Sequence, residues 1–405
     1  MSALGLPRAE SPEQVGLSSA RLERAAASIR RDVEQRVIPG AVLLIARGGR
    51  LAYAEAFGYR DREAGAAMTP DAIFRIASMT KPMTSVAAMM LAEEGLLEIA
   101  APVADYLPEF ADITVGVERR KPARAMTLQD LLRHTSGLTY EDFGDSPVQM
   151  IWRDEKPGDV GQTNADLVTK LARLPLMFEP GSTWEYSRST DVVGRIIEVI
   201  SGKTLGQFFA ERITGPLGMP DTGFAATGKR ATRVAEPQAD PATGKRSPMR
   251  NVNEPARFES GGGGAVSTAA DYLRFCQMLL NGGELDGVRL LAPKTAALMA
   301  ADHLPPGVAY GGTARFGALA PTPDYGIGFG LGFAVRKEAG RCPLPGSVGD
   351  FWWHGVLGTT FWIDPAEQLI AVFMLQSPEH RMRYRNLTRQ LVYAALTGTR
   401  GRRYR

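Results

Sequence analysis

Patterns typical of β-strands occur near both ends of this 405-residue chain, and helical patterns fill much of the region between them. Near the beginning, residues 41–46 and 51–57 are apolar runs joined at Gly48-Gly49, which predicts a tight hairpin. Near the end, residues 361–365 and 369–375 predict a second hairpin. Strands at both ends with helices between them favour one antiparallel sheet built from both halves of the chain.

A further strand is predicted over residues 325–335, where glycine occupies every second position from 326 to 332. One face of such a strand carries almost no side chains there. Glycine in this arrangement marks a place where another backbone or a ligand comes close.

The remaining predictions complete an α+β fold. Apolar residues at helical spacing predict helices that begin near Ser18 or Ser19, Ser78, Thr127, Ser189 and Thr268, and one helix that closes the chain. We predict an antiparallel sheet flanked by helices, with a mostly helical domain inserted into it. The predicted boundaries are 1–100 and 225–405 for the sheet domain and 101–224 for the helical domain.

Composition excludes several classes of protein. Apolar residues make up 44 % and charged residues 22 %, which is ordinary for a folded chain and excludes a disordered or fibrous one. The 47 Lys and Arg residues exceed the 44 Asp and Glu residues by three, and four of the positive charges lie in the last six residues. A nucleic-acid protein would carry its charge on one face. We interpret the tail with Arg400, Arg402, Arg403 and Arg405 as solvated and passive.

No apolar run approaches the about 20 residues that cross a bilayer, and residues 1–10 lack the pattern of a secretory signal. Two cysteines without a CxxC pair and four histidines without ligand spacing predict neither a disulfide framework nor a structural metal. We therefore expect a cytoplasmic protein that acts on a small molecule, without a cofactor, a nucleic-acid partner or a membrane partner.

The segment with most chemical information contains Ser78 and Lys81. Residues three apart on a helix share a face. A serine at a helix start meets unpaired N–H groups and the positive end of the dipole, both of which stabilise a developing alkoxide. That positive end and the apolar neighbours disfavour a charged lysine and should lower its pKa from about 10.4, so that a neutral amine can accept the serine proton.

A plain structural interpretation also fits these two residues. The pattern S-x-x-K recurs by chance, and a serine at a helix start commonly caps the helix. The choice between the two interpretations therefore depends on the rest of the chain.

Further segments provide that context. They are residues 74–95 around Ser-x-x-Lys, 128–138 (LQDLLRHTSGL), 178–187 (FEPGSTWEYS), 260–267 (SGGGGAVS) and 345–356 (PGSVGDFWWHGV). In this order they resemble the serine β-lactamase-like superfamily of class C β-lactamases, DD-peptidases and, most closely, family VIII carboxylesterases. The resemblance spans roughly residues 15–395 and implies the β-lactamase/transpeptidase-like fold, with the active site at the interface of the two domains.

The resemblance implies roles for four residues. Ser78 would be the acylated nucleophile and Lys81 its proton-accepting partner. Tyr186 would hydrogen-bond both and pass the proton to the leaving group, and which of Lys81 and Tyr186 is the formal base stays open because coupled groups titrate together. The backbone N–H groups of Ser78 and Val356 would form the oxyanion hole.

The second motif departs from that of the β-lactamases. Their Tyr-x-Asn is replaced here by Tyr186-Ser187-Arg188. Arg188 could bind a substrate carboxylate, or it could point into solvent.

The third motif departs as well, because Lys-Thr-Gly is replaced by Trp353-His354-Gly355, which resembles the esterases. Loss of the lysine disfavours anionic substrates, whereas an aromatic wall suits an acyl or alcohol group. We expect Trp353, His354, Gly355 and Met79, which follows the nucleophile, to contribute to substrate binding.

The resulting functional hypothesis is a serine carboxylesterase for short or medium acyl esters, with weak β-lactam hydrolysis as a side activity. The alternatives are a β-lactamase or D-amino-acid peptidase, an acyltransferase, and a penicillin-binding sensor that is acylated once without turnover.

Overall fold

The computed structural model describes residues 4–240 and 243–399, and its centre is one eight-stranded sheet. In chain order the strands of this sheet are β1 Gly40–Arg47, β2 Arg50–Asp61, β3 Ala66–Ala67, β4 Ile327–Phe329, β5 Ala334–Arg336, β6 Phe351–His354, β7 Thr360–Asp364 and β8 Leu369–Leu375. The spatial order is β4-β5-β6-β7-β8-β1-β2-β3, and every neighbouring pair is antiparallel. The predicted α+β fold is confirmed.

The two predicted hairpins join at the centre of the sheet. β1 pairs with β8 from Ala41 opposite Leu375 to Arg47 opposite Leu369. Both strands are buried along their whole length, as expected for central strands covered on both faces. The chain therefore closes its core by pairing segments more than 300 residues apart.

Helices cover both faces of the sheet. The α-helices of the described residues are α1 Ser19–Glu34, α2 Thr80–Glu93, α3 Leu128–Leu132, α4 Pro147–Glu155, α5 Asn164–Arg173, α6 Ser189–Ser201, α7 Leu205–Phe209, α8 Ala269–Leu280, α9 Pro293–Met299 and α10 Arg381–Ala394. On β7, Phe361 contacts Tyr272 of α8, and the next residue, Trp362, stacks on Tyr393 of α10. Because successive strand residues point to opposite faces, α8 and α10 lie on opposite sides of the sheet.

Helix α2 is an interior helix. All residues from 80 to 91 are buried, whereas a surface helix buries only one stripe. The helix packs against α6, which belongs to the helical region between the two halves of the sheet. A polar side chain on α2 is therefore held away from water unless it points into a cavity.

The prediction of one strand over residues 325–335 is wrong. The structure has two short strands, β4 and β5, that form a hairpin with Gly330 N–H donating to the Phe333 carbonyl at 2.8 Å. Gly332 has φ +96°, and a Cβ there would collide with Ser85 of α2. The glycines thus allow a tight turn and the close approach of a helix, and the second of these was expected.

The division into a sheet domain (1–100, 225–405) and a helical domain (101–224) stays a prediction. The basic tail with Arg400, Arg402, Arg403 and Arg405 lies outside the described residues. Within residues 4–240 and 243–399, no helix combines the length and the apolar character that a membrane crossing requires.

Candidate active site

Ser78 lies in a single turn that connects a short strand to α2. Phe74–Arg75 pairs with Val266–Ser267, a 3₁₀ turn follows over Ala77–Met79, and α2 begins at Thr80. Ala77 has φ +45°, a left-handed conformation that costs a non-glycine residue free energy and is found at functional sites. This turn leaves Ser78 half-exposed although its neighbours are buried.

The Lys81 amine lies next to the Ser78 hydroxyl. Its Nζ is 3.5 Å from Ser78 Oγ, 3.0 Å from the Tyr140 hydroxyl and 2.7 Å from the Gly262 carbonyl oxygen. The side chain is fully buried. Three oxygen atoms therefore fix the amine one helical turn from the serine.

Burial lowers the pKa of Lys81 to about 7, and the nearby Arg188 acts in the same direction, against the opposing effect of Asp191. The reason is that a buried site disfavours the charged form of an amine. Near neutral pH, a large fraction of Lys81 is thus uncharged and can accept a proton from Ser78.

Tyr186 stands beside this pair. It follows the short strand Thr183–Trp184 and precedes α6, and its hydroxyl accepts a hydrogen bond from Trp353 Nε1 at 3.0 Å. Burial raises the pKa of Tyr186, while its hydrogen bonds to Ser78 and Trp353 act in the opposite direction. The phenol is therefore protonated at neutral pH.

The contact between Tyr186 and Lys81 differs from the expected one. Lys81 Nζ lies 4.4 Å from the centre of the Tyr186 ring, a cation–π position, and its hydrogen bonds go to Tyr140 and Gly262. Ser78, Lys81 and Tyr186 are brought together, but Tyr140 takes the hydrogen bond to lysine that the family resemblance had given to Tyr186.

Tyr140 and Gly262 were missed as site residues. Tyr140 comes only two residues after the segment 128–138, and Gly262 belongs to the four-glycine run, so both signals were present in the sequence. Gly262 is held by Asp191 at the start of α6, whose Oδ1 accepts its N–H at 2.9 Å. Asp191 therefore fixes the backbone of Gly262, whose carbonyl oxygen binds Lys81.

A cavity of about 310 Å³ opens above Ser78. Its apolar and aromatic lining residues are Ala77, Tyr140, Phe143, Val160, Tyr186, Phe258 and Val356. A larger cleft of about 730 Å³ beside α7 has no serine, cysteine, histidine or lysine among its described lining residues. The smaller cavity is therefore the candidate active site.

Comparison with known proteins agrees with this geometry. The family model named Beta-lactamase matches residues 25–395. This chain belongs to the beta-lactamase family. The match covers the Ser78 turn, the Tyr186 segment and the last strands of the sheet.

Three known proteins are similar to this chain over most of its length. Protein Rv1367c of Mycobacterium tuberculosis is 37 % identical over 86 % of this chain and 88 % of that protein. Esterase EstB of Burkholderia gladioli is 32 % identical over 82 % of this chain and 85 % of EstB. The structure of EstCE1, described as a hydrolase with promiscuous acyltransferase activity, has a TM-score of 0.78 at 28 % identity, covering 92 % of this chain and 98 % of EstCE1. The predicted closeness to the family VIII carboxylesterases is confirmed.

In this beta-lactamase-family chain, the side chains of Trp353 and His354 in the third motif do not form a wall of the cavity. Trp353 is 1 % exposed, and its indole points at the Tyr186 hydroxyl rather than into the cavity. His354, the next residue of the strand, is buried with Nδ1 2.7 Å from Thr360 Oγ1, and burial lowers its pKa. Neither side chain lies among the described residues that line the cavity.

Gly355 and Met79 act through their backbone positions in the structure, and their side-chain positions do not line the cavity. A Cβ on Gly355 would lie 2.6 Å from the Ile76 carbonyl oxygen, so glycine lets the end of β6 approach the Ser78 turn. Met79 is fully buried, and its carbonyl accepts the Tyr272 hydroxyl at 2.8 Å. Neither residue is among the described residues that line the cavity, and their contribution to substrate binding stays a prediction.

Two hydrogen bonds of Gly355 fix the backbone next to Val356. Arg385 of α10 donates to the Gly355 carbonyl at 2.8 Å, and the Gly355 N–H donates to the Thr359 carbonyl at 2.8 Å. Val356 is 51 % exposed and lines the cavity. Across the part of the chain that the structure describes, the Val356 N–H has no hydrogen-bond acceptor.

Arg188 does not point into solvent, and its binding of a substrate carboxylate stays a prediction. It lines the cavity, but its guanidinium forms a two-point hydrogen-bonded ion pair with Glu141 and lies 3.6 Å from Asp191. Its charge is therefore compensated within the protein, because two buried carboxylates already face it.

Proposed function

We propose that this chain is a serine carboxylesterase that hydrolyses short and medium acyl esters through an acyl-enzyme on Ser78. The observation that carries the proposal is the Ser78–Lys81 pair, in which a buried amine with a pKa of about 7 lies 3.5 Å from a half-exposed hydroxyl. The mostly apolar cavity above Ser78 suits an acyl chain. The similarity to EstB and EstCE1 supports ester hydrolysis.

The first half of the proposed reaction forms the acyl-enzyme. Ser78 Oγ attacks the ester carbonyl carbon while neutral Lys81 takes the hydroxyl proton. The carbonyl oxygen becomes an oxyanion, for which the N–H groups of Ser78 and Val356 are the proposed donors. The ester C–O bond then breaks, and the leaving alkoxide takes a proton from the Tyr186 phenol. To return a proton to this phenolate, the Lys81 ammonium has to move from the face of the Tyr186 ring to its oxygen.

The second half releases the acid. Water attacks the acyl-enzyme carbonyl and gives one proton to Lys81. The bond between the acyl carbon and Ser78 Oγ then breaks, and Oγ takes this proton back from the Lys81 ammonium. An alcohol in place of water would give a new ester by the same steps. Acyl transfer is therefore a second candidate, favoured by the similarity to EstCE1, whose description includes acyltransferase activity.

The proposal is tested with p-nitrophenyl butyrate and a chromogenic cephalosporin. We expect steady ester turnover well above cephalosporin turnover, and a mass increase of one butyryl group on Ser78 in protein quenched during turnover. Dominant cephalosporin hydrolysis would support a β-lactamase. Cleavage of D-alanyl-D-alanine would support a peptidase, and a burst of acylation without steady-state turnover would support a sensor. Butyl butyrate formed with added butanol measures acyl transfer.

The rate of ester hydrolysis should rise with pH. Lys81 accepts a proton only as the neutral amine, and its pKa is about 7. We therefore expect kcat/KM to be half-maximal near pH 7, to fall about tenfold per pH unit below it and to level off above it. Intrinsic fluorescence at each pH controls for unfolding, and a profile that stays flat from about pH 5 to about pH 9 would contradict a lysine base.

Trp353→Phe should reduce kcat without a matching change in KM. The substitution keeps an aromatic ring but removes the N–H that Trp353 donates to Tyr186. Loss of this bond leaves the phenol less well oriented, and we expect kcat to fall about tenfold. Trp352→Phe is the matched control, because Trp352 is also buried but its N–H has no hydrogen-bond partner in the described residues. An equal loss in both variants would indicate a packing effect alone.

A further inference from the structure

The active-site cavity contains positive charge without any carboxylate. Two arginines, Arg188 and Arg250, line it, and none of its described lining residues is Asp or Glu. The remainder of the wall is mostly apolar or glycine. Whether each arginine is paired with a carboxylate elsewhere in the protein therefore decides whether a substrate meets an uncompensated positive charge.

The two arginines differ in their partners. Arg188 is compensated by Glu141 and Asp191. Arg250 donates only to two neutral carbonyl groups, that of Gly264 at 2.5 Å and that of Phe224 at 3.3 Å. Within residues 4–240 and 243–399, no carboxylate lies within ion-pair distance of Arg250, and its Nε–H has no acceptor.

The surroundings of Arg250 make this charge unfavourable without a ligand. Burial and the neighbouring guanidinium of Arg75 both lower the pKa of Arg250. Arg75 also donates from Nε to the Arg250 carbonyl, so the two residues are fixed side by side. Arg75 is paired with Glu236 at 2.9 Å, and Glu236 forms no ion pair with Arg250 among the described residues.

Arg250 and Ser78 line the same cavity. Gly264, the hydrogen-bond partner of Arg250, lines the cavity and adjoins Gly263, where a Cβ would be 3.8 Å from the Ala77 carbonyl carbon. Arg250 is thus connected to the nucleophile turn through the glycine run. An ester that reacts at Ser78 and fills the cavity towards Gly264 would meet Arg250.

We propose that the preferred substrates are esters that also carry a carboxylate, and that Arg250 binds this carboxylate. The inference rests on the proposed esterase function. A planar guanidinium with unused N–H donors matches a carboxylate in shape and charge. Binding would supply the anion that the protein itself does not provide, in a cavity where water competes less than at the surface.

The test compares esters that differ by one charge. Monomethyl adipate and methyl hexanoate differ only in a terminal carboxylate or methyl group on the acyl part, and 6-acetoxyhexanoate and hexyl acetate differ in the same way on the alcohol part. We expect wild-type kcat/KM to favour the charged ester of at least one pair by about tenfold or more. The pair that shows the preference identifies which part of the ester faces Arg250.

Substitutions assign the preference to Arg250. Arg250→Gln should reduce the charged-to-neutral ratio of kcat/KM by about tenfold, and Arg250→Lys should retain part of it. Arg257→Gln removes one positive charge from an exposed position outside the cavity and is the control for long-range effects, so its ratio should equal that of the wild type. An unchanged ratio in Arg250→Gln, or equal losses in both Gln variants, would overturn the proposal.

A binding experiment separates this inference from the proposed function. Ser78→Ala with and without Arg250→Gln is titrated by calorimetry, where no turnover is needed, with monomethyl adipate and 6-acetoxyhexanoate and with their neutral analogues, methyl hexanoate and hexyl acetate. We expect the second substitution to weaken binding of one of the charged esters about tenfold. If the wild type hydrolyses the neutral esters but neither charged ester binds more tightly than its neutral analogue, only the inference fails. If no ester is hydrolysed but binding depends on Arg250, the proposed function fails and the anion site stands.

Discussion

Ser78→Ala should abolish turnover of p-nitrophenyl butyrate, with kcat falling roughly 10⁴-fold or more. The variant lacks the only atom that can form the proposed acyl-enzyme, while the cavity and the oxyanion donors remain. No butyryl adduct should appear by mass spectrometry. The side chain is small and half-exposed, so the free energy of unfolding should change little.

Ser85→Ala is the matched control for this substitution. Ser85 lies on the same helix, α2, and its hydroxyl is buried without a hydrogen-bond partner in the described residues. It should keep wild-type turnover. Full ester hydrolysis by Ser78→Ala, or butyryl transfer to a different residue, would remove Ser78 from the reaction.

Lys81→Met should lower kcat/KM by roughly 10³-fold, because a general base contributes about 10²- to 10⁴-fold and no second basic group touches Ser78 Oγ among the described residues. Methionine has a similar length and no proton-accepting nitrogen. Lys81→Arg should be similarly inactive, because a guanidinium stays protonated at neutral pH. These variants are assayed with p-nitrophenyl butyrate, and any residual activity should have lost the pH dependence near 7.

Thermal unfolding distinguishes this loss from misfolding. A fully buried amine is costly to desolvate, so Lys81→Met should unfold at a temperature no lower than that of the wild type. Lys294→Met, at an exposed position on α9, is the control that should retain activity. A folded Lys81→Met variant that keeps wild-type kcat would show that another group is the base.

The fold could be predicted because its signals are local. The hairpin of β1 and β2 follows from two apolar runs around Gly48-Gly49. The hairpin of β7 and β8 likewise follows from two apolar runs that are separated by a short turn. The failure at residues 325–335 is of a different kind. Four glycines at alternating positions permit both an extended strand and a tight turn. The close approach of Ser85 on α2, which leaves no room for a Cβ at Gly332, comes from a helix more than 200 residues away in the sequence.

Sequence reasoning reached the Ser78–Lys81 pair for the same local reason, since a separation of three residues fixes proximity on a helix. Trp353 shows the opposite case. Its presence in the third motif was clear, but whether its indole faces the cavity or Tyr186 depends on the direction of β6 relative to a segment 167 residues away. Arg188 was likewise identified, while its compensation by Glu141 depends on a loop that brings position 141 across to the start of α6.

By itself, the amino-acid sequence determined the hairpins of β1–β2 and β7–β8 and the placement of a serine and a lysine on one helical turn, because both depend on contacts between near neighbours in the chain. Only the tertiary structure decided what surrounds that pair. The pKa of Lys81, the partners of Tyr186 and the uncompensated charge of Arg250 all arise from groups distant in sequence. Burial and electrostatic interactions depend on distance in space, which the folded chain alone sets.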